Sequence, residues 1–259
     1  MNSSPGLCAD ALGVRHGRRP IIHDLSLPLL QPGSVTAVLG PNGAGKSSLL
    51  RAMAGLHPLQ GSLRLDGVEL ADYSLQERSR RVLYMPQSLP ASLDLCVLDC
   101  LLAALDSAAS REQRLIRAFA ALQQVGIAAL ADQLLSRLSG GQRQLVSLAQ
   151  VLVLQPRVML LDEPTSALDP GFQLKVMHCV RAQVEQQQCI ALMVLHDINL
   201  AARFADTLAV LWQGRLYACG TPRQVLTRQL FQEVYGVQAR VEPLPGTSKL
   251  QVIVEHALD

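Results

Sequence analysis

Nine consecutive residues, Gly40-Pro41-Asn42-Gly43-Ala44-Gly45-Lys46-Ser47-Ser48, have the composition of an anion cradle. They fit the pattern G-x-x-x-x-G-K-[ST], follow the apolar run at 35–39 and open a helical pattern over 47–54 that Gly55 closes. Strand, glycine-rich turn and helix start together bring backbone N–H groups and the positive end of a helix dipole to one point. There Lys46 would reach the β- and γ-phosphates of a nucleotide, and the Ser47 hydroxyl would hold Mg²⁺. A glycine-rich turn can match this pattern by chance. The other reactive groups of the chain weigh against that here.

The second group is Asp162-Glu163, which ends the apolar run at 158–161 and precedes Pro164. A carboxylate at the C-terminal end of a buried strand is where doubly wound sheets place ligand chemistry. Asp162 suits a divalent cation held through its water shell, and Glu163 can orient or deprotonate an attacking water. Such an acidic pair can also merely favour a helix N-terminus. Beside Lys46 and Ser47 the chemical assignment outweighs that one. The third group is Leu138-Ser139-Gly140-Gly141-Gln142. Ser139 is a good N-cap, and two glycines would leave first-turn N–H groups uncovered for a phosphate. Glycine destabilises a helix by about 1 kcal/mol, so a consecutive pair needs a reason.

Elements must hold these groups in place. Short strands are expected at 7–14, 21–29, 35–39 and 62–65, with Asp66-Gly67 as a turn. Between about 90 and 150 strand signals vanish; Leu115, Phe119 and Leu122 recur at helical spacing, as do Leu134, Leu135 and Leu138. A helical insert over 88–150 is the reading. Strands return at 157–161, 190–195 and 207–211, and between the first two a helix carries Phe172, Val176, Val180 and Val184 on one face. Another helix is expected over 221–235, with Pro222 in its first turn, and residues 236–259 form a small hairpin or loose tail. Strands alternating with helices make this a single α/β domain, 1–259, with a largely parallel sheet.

Composition narrows the function. The 259 residues are 49% apolar and 17% charged, as in a globular domain, with a net charge of only +2. Arginines and the three lysines (Lys46, Lys175, Lys249) are dispersed, so no nucleic-acid partner is expected. No apolar run approaches the roughly 20 residues of a spanning helix. Residues 1–14 include Asp10 and no compact apolar core, unlike a secretory signal, so a soluble cytoplasmic chain is expected. Six cysteines without a C-x-x-C pair read as reduced packing residues.

In order and spacing, 40–47, Gln87 after Tyr84-Met85-Pro86, 138–142, 158–164, Ser166-Ala167-Leu168-Asp169 and His196 closely resemble the ATPase subunit of ATP-binding-cassette (ABC) transporters. The resemblance covers about residues 5–235. It implies a P-loop NTPase with a RecA-like core, N-terminal antiparallel strands and a helical subdomain particular to the family. It also implies that Lys46, Ser47 and the loop amides bind ATP and Mg²⁺, and that Gln87 touches Mg²⁺ or water and senses the permease. Ser139, Gly140, Gly141 and Gln142 would bind ATP held by a second ATPase subunit, in a head-to-tail homodimer whose two sites Asp169 couples. His196 would hydrogen-bond the γ-phosphate, so the catalytic set is Lys46, Gln87, Glu163 and His196. The partners implied are integral-membrane permease subunits and, indirectly, a substrate-binding protein, at the cytoplasmic face of the inner membrane.

The stretches 194–202 and 218–222 are similar to those of importers of iron chelates (siderophores, haem) and cobalamin; the alternatives are an importer ATPase for another cargo (an amino acid, phosphate or a metal ion) or a non-transport ABC ATPase. Several positions depart from the family pattern. His16 stands where an aromatic ring usually stacks on adenine, and an imidazole offers less area. Leu145 and Gln150 stand where arginines are common, which would remove two surface charges. The stretch 92–104, where the permease docks in the family, lacks the expected basic and aromatic residues.

Overall fold

The computed structural model describes residues 5–87, 94–105, 109–247 and 249–258. The chain begins with a long antiparallel pair, β1 (Leu7–His16) and β2 (Arg19–Leu30). The central strand β3 (Val35–Leu39) and helix α1 (Lys46–Met53) follow. After β4 (Leu59–Leu65) and β5 (Val68–Glu69), α2 (Leu75–Arg81) leads into β6 (Val82–Met85). The four early strands form one antiparallel sheet in the order β2-β1-β4-β5. Polar and apolar residues mix along β1 because only one face of this sheet is buried.

A helical stretch comes next: α3 (Val97–Ala104), α4 (Arg111–Val125) and α5 (Gly140–Leu154). The chain then alternates strictly through β7 (Val158–Asp162), α6 (Pro170–Gln187), β8 (Ile190–Val194), α7 (Ile198–Phe204) and β9 (Thr207–Trp212). β10 (Arg215–Gly220), α8 (Pro222–Val225), α9 (Arg228–Tyr235) and the hairpin β11 (Val237–Pro243) and β12 (Leu250–Ala257) complete it.

The second sheet has the order β10-β9-β3-β8-β7-β6, and all its pairs are parallel except that of β10 with β9. β3, β7 and β8 are buried at every residue, since each face of this sheet is covered. Val35, Ala37, Met159 and Leu161 pack towards the helical stretch, whereas Val38, Val158 and Leu160 pack towards α1 and the antiparallel sheet. That is why these strands read as unbroken apolar runs. Their carboxyl ends point to one edge, where Gly40, Asp162 and His196 emerge.

Several expectations need correction. Leu134, Leu135 and Leu138 form no α-helix, only a short 3-10 turn at Leu135–Arg137. The backbone there is committed elsewhere: Leu135 N–H donates to Leu95 O at 3.0 Å, and Cys96 bridges Leu134 in antiparallel fashion. In α4 the helical period holds but its phase differs, because the buried face is Ala118, Ala121, Leu122 and Val125 while Phe119 is exposed. The helix expected over 221–235 divides at 226–227, where buried Leu226 leaves helical geometry and Thr227 caps a new helix through Leu230 N–H. Leu145 is a core residue at 2% exposure, so leucine there fills the interior and removes no surface charge; Gln150 is half-buried and donates to Cys100 Sγ at 3.0 Å. β11 and β12 pair as an antiparallel hairpin with one register shift between Gln238 and Ala239. All six cysteines are free. Part of the expected insert, 88–93 and 106–108, lies outside the described residues, as do positions 92 and 93 of the permease-docking stretch.

Candidate functional site

The loop after β3 turns sharply because two glycines allow it. Gly40 (φ 139°) lies so close to β9 that a Cβ would stand 2.1 Å from Leu211 O, and Gly45 (φ 100°) caps α1 in a left-handed conformation against Ile22. Leu49, Leu50 and Met53 fasten α1 into the core, so the N-terminus of the helix is held rigidly at the loop. Lys46 is 6% exposed, and its Nζ donates to Gly40 O at 2.8 Å and Pro41 O at 2.9 Å. Burial lowers its pKa, while Glu163 and Asp162 work in the opposite direction. Asn42, Gly43, Gly45, Lys46, Ser47 and Ser48 line a cleft of about 370 Å³, together with Glu163 and, from β2, Arg19 and Ile21. A larger cavity of about 440 Å³ lies beside Leu56, Leu59 and Arg78 and contains none of these reactive groups.

Two adjacent carboxylates face different partners. Asp162, 1% exposed, accepts from Ser47 Oγ on Oδ1 and from Tyr84 Oη on Oδ2, each at 2.8 Å. Burial pushes the Tyr84 phenol up to about 12, against a hydrogen bond from Arg51, so Tyr84 remains a donor at neutral pH. The Ser47 hydroxyl and the Asp162 carboxylate converge at the loop as hard oxygen donors, the set that Mg²⁺ prefers.

Glu163 has φ 51°, a left-handed conformation that costs an L-residue about 1–2 kcal/mol. Its Oε1 lies 2.6 Å from His196 Nε2, and its Oε2 accepts from Gln87 Nε2 at 2.6 Å. The backbone carbonyl of Glu163 accepts from Gln144 Nε2 at 2.6 Å and from Ser166 N–H and Oγ at 3.2 Å each. Gln87 thus donates to Glu163, and among the described residues no hydrogen bond joins it to Ser47 or Asp162. One wall of the site suits a cation, and the other gathers a carboxylate, an imidazole and an amide.

Ser139 caps α5 in a capping box: Gln142 N–H donates to Ser139 Oγ at 3.2 Å, and Ser139 N–H donates to Gln142 Oε1 at 2.8 Å. Gly140 faces open space, whereas a Cβ on Gly141 would stand 2.9 Å from Ala167 O. The second glycine thus has a steric reason within the chain itself, the close approach of α5 to the loop after Glu163. None of Ser139–Gln142 lines the cleft at Lys46. Asp169 caps α6, its Oδ1 accepting from Phe172 N–H at 3.1 Å.

His16 does not line the cleft either. It is exposed at the tip of the β1–β2 hairpin, paired with Arg19, and its ring lies 6.4 Å from that of His57. Arg19 was not signalled by any motif, but two-residue spacing through Gly17-Arg18 would have placed it opposite His16. Tyr84 entered only as the residue ahead of Met85-Pro86-Gln87, with no role, and Gln144 was unmarked; a buried glutamine two residues beyond Gln142 on an apolar helix is the signal that could have singled out the latter.

Residues 22–166 match the sequence profile of the ABC transporter family. The hemin import ATP-binding protein HmuV of Bordetella pertussis is 41% identical over 258 residues, covering 93% of this chain and 97% of that protein. Its namesake in Pseudomonas entomophila is 40% identical, covering 92% and 96%. Among solved structures, the ATP-binding cassette MJ0796, dimeric in a post-hydrolysis state with ADP and Pi, superposes with a TM-score of 0.74 at 25% identity, covering 84% of this chain and 99% of that one. With a phosphate loop, paired carboxylates and a histidine gathered at the edge of a parallel sheet, this chain belongs to the ABC transporter family as an ATP-binding, ATP-hydrolysing transport subunit.

Proposed function

We propose that the chain powers a bacterial haem importer, as one of two identical ATPase subunits bound to an integral-membrane permease at the cytoplasmic face of the inner membrane. A substrate-binding protein would deliver cargo on the other side. The observation that carries this reading is the 41% identity, along nearly the whole chain, to a hemin import ATP-binding protein. Haem is an iron chelate, and the stretches 194–202 and 218–222 are similar to those of importers of iron chelates and cobalamin.

The loop amides and Lys46 bind and orient the β- and γ-phosphates, and Arg19 adds a cation at the β2 edge of the same cleft. Ser47 and Asp162 would hold Mg²⁺, which supplies charge neutralisation on the phosphate oxygens. Glu163 accepts a proton from the attacking water, worth about 10²–10⁴ in rate. His196 and Gln87 fix both oxygens of that carboxylate. Ser139, Gly140, Gly141 and Gln142 face the ATP of the other subunit, so each cleft is completed by the partner copy.

The test is haem-dependent growth of the native cell with Glu163→Gln as its only copy of the chain. Haem uptake should fall at least tenfold while uptake of an unrelated amino acid continues. Undiminished haem uptake would remove haem as the cargo.

A further inference from the structure

α5 begins at the second phosphate-binding motif, yet its first buried side chain touches the catalytic loop of its own chain. Gln144 is 3% exposed, and its only side-chain hydrogen bond among the described residues runs from Nε2 to Glu163 O, at 2.6 Å. That carbonyl belongs to a residue in left-handed geometry, φ 51°. Ser166 also donates to it through N–H and Oγ, but from within the same turn and at 3.2 Å each. Gln144 is the donor that reaches the carbonyl from another element. The contact is buttressed one turn earlier, where Gly141 admits Ala167 O at a distance no side chain would tolerate. An isolated turn would relax a left-handed glutamate towards ordinary geometry and swing its carboxylate away from His196 and Gln87. A buried amide from a rigid helix opposes that relaxation, because the amide would itself lose its acceptor.

We infer that Gln144 is a positioning residue for hydrolysis, holding the backbone of Glu163 so that the start of α5 and the carboxylate move as one body. The inference rests on the reading of Glu163 as the group that activates water. In chemical terms, ATP docked at Ser139–Gln142 by one subunit would be sensed at the Glu163 of that same subunit.

Gln144→Met keeps the volume and removes the donor, and Gln144→Ala removes the donor without adding apolar bulk. In the full-length chain, both should lower kcat for ATP at least tenfold with KM changed less than twofold. Amide exchange at Ser166 should quicken at least tenfold. In a Glu163→Gln background, adding Gln144→Met should leave the residual single-turnover rate unchanged, since the carboxylate it positions has gone. A further loss of tenfold or more in that background, or a rise in KM with kcat intact, would overturn the inference. So would unchanged kcat in both folded variants. Full activity of Glu163→Gln alone is a separate result: it would remove the reading of Glu163, and the role of Gln144 with it.

Discussion

Asp162 and Glu163 are sequence neighbours with opposite surroundings, and one backbone angle divides them. Asp162 is the last residue of a buried strand and keeps to Ser47 and Tyr84, while the left-handed turn at Glu163 delivers the next carboxylate to His196 and Gln87. Ser47, Asp162 and Glu163 were legible as types at fixed spacing, because phosphate and cation chemistry leaves few alternatives at each position, whereas Gln87 and His196 came from the family resemblance. Arg19, Tyr84 and Gln144 were not legible, since each arrives by pairing or packing that no local pattern records. Arg19 yields a prediction against the expectation for His16. Arg19→Ala should weaken ATP binding about tenfold, the value of one charge-assisted hydrogen bond. His16→Tyr should leave the dissociation constant unchanged. Calorimetric titration with a non-hydrolysable ATP analogue separates them, and a tighter His16→Tyr with an unaltered Arg19→Ala would reverse the assignment.

Elements in this protein are joined by ion pairs at the ends of strands. Asp66, in the turn between β4 and β5, accepts from Arg157 Nε at 3.1 Å and Gly6 N–H at 2.8 Å, tying the antiparallel sheet to the entry of β7. Asp206 accepts from Arg181 of α6 at 2.6 and 2.8 Å and from Val35 N–H at 2.8 Å, so α6, β3 and β9 meet at one carboxylate. Burial alone would raise both acids, but the guanidinium and backbone hydrogen bonds outweigh it and hold each below its ordinary value. A folded-state pKa below the unfolded one stabilises the fold above about pH 4, and that contribution is lost as pH falls through the lowered values. Asp66→Asn should therefore lower stability by about 1 kcal/mol at pH 7, given pair exposures of 28% and 32%, and by nothing measurable near pH 2. Urea unfolding at the two pH values would show it, and an equal loss at both would refute it. The parallel strands were readable because two-sided burial demands apolar residues throughout. The phase of α4, the pairing of Leu134–Leu135 with Leu95–Cys96 and the break before Thr227 were not, because the first two follow from packing against the rest of the chain and the third from a buried Leu226 followed by a local cap at Thr227.

At the scale of the whole molecule, the two phosphate-binding motifs of one chain do not share a cleft: Lys46 and Ser47 line one, and Ser139–Gln142 lie outside it. Under the proposed function, a second copy supplies what each lacks. Glu163→Gln with ATP should elute at twice the 28.0 kDa of the single chain, and addition of Ser139→Arg should return it to one chain. Light scattering after size exclusion reads the mass directly, and a single-chain mass for Glu163→Gln with ATP would count against a nucleotide-bridged pair. The far end of the chain is anchored differently. Asn199, three residues after His196, donates from Nδ2 to Val252 O at 3.2 Å and accepts Val252 N–H on Oδ1 at 2.7 Å. A side-chain amide thus serves β12 as one residue of a missing neighbouring strand. Sheet edges are where extended segments of other proteins add on and aggregation begins. At Val252 that edge is already spoken for, so a hairpin at the rim of the ATP-binding domain is blunted against intermolecular pairing by the helix that starts just after His196.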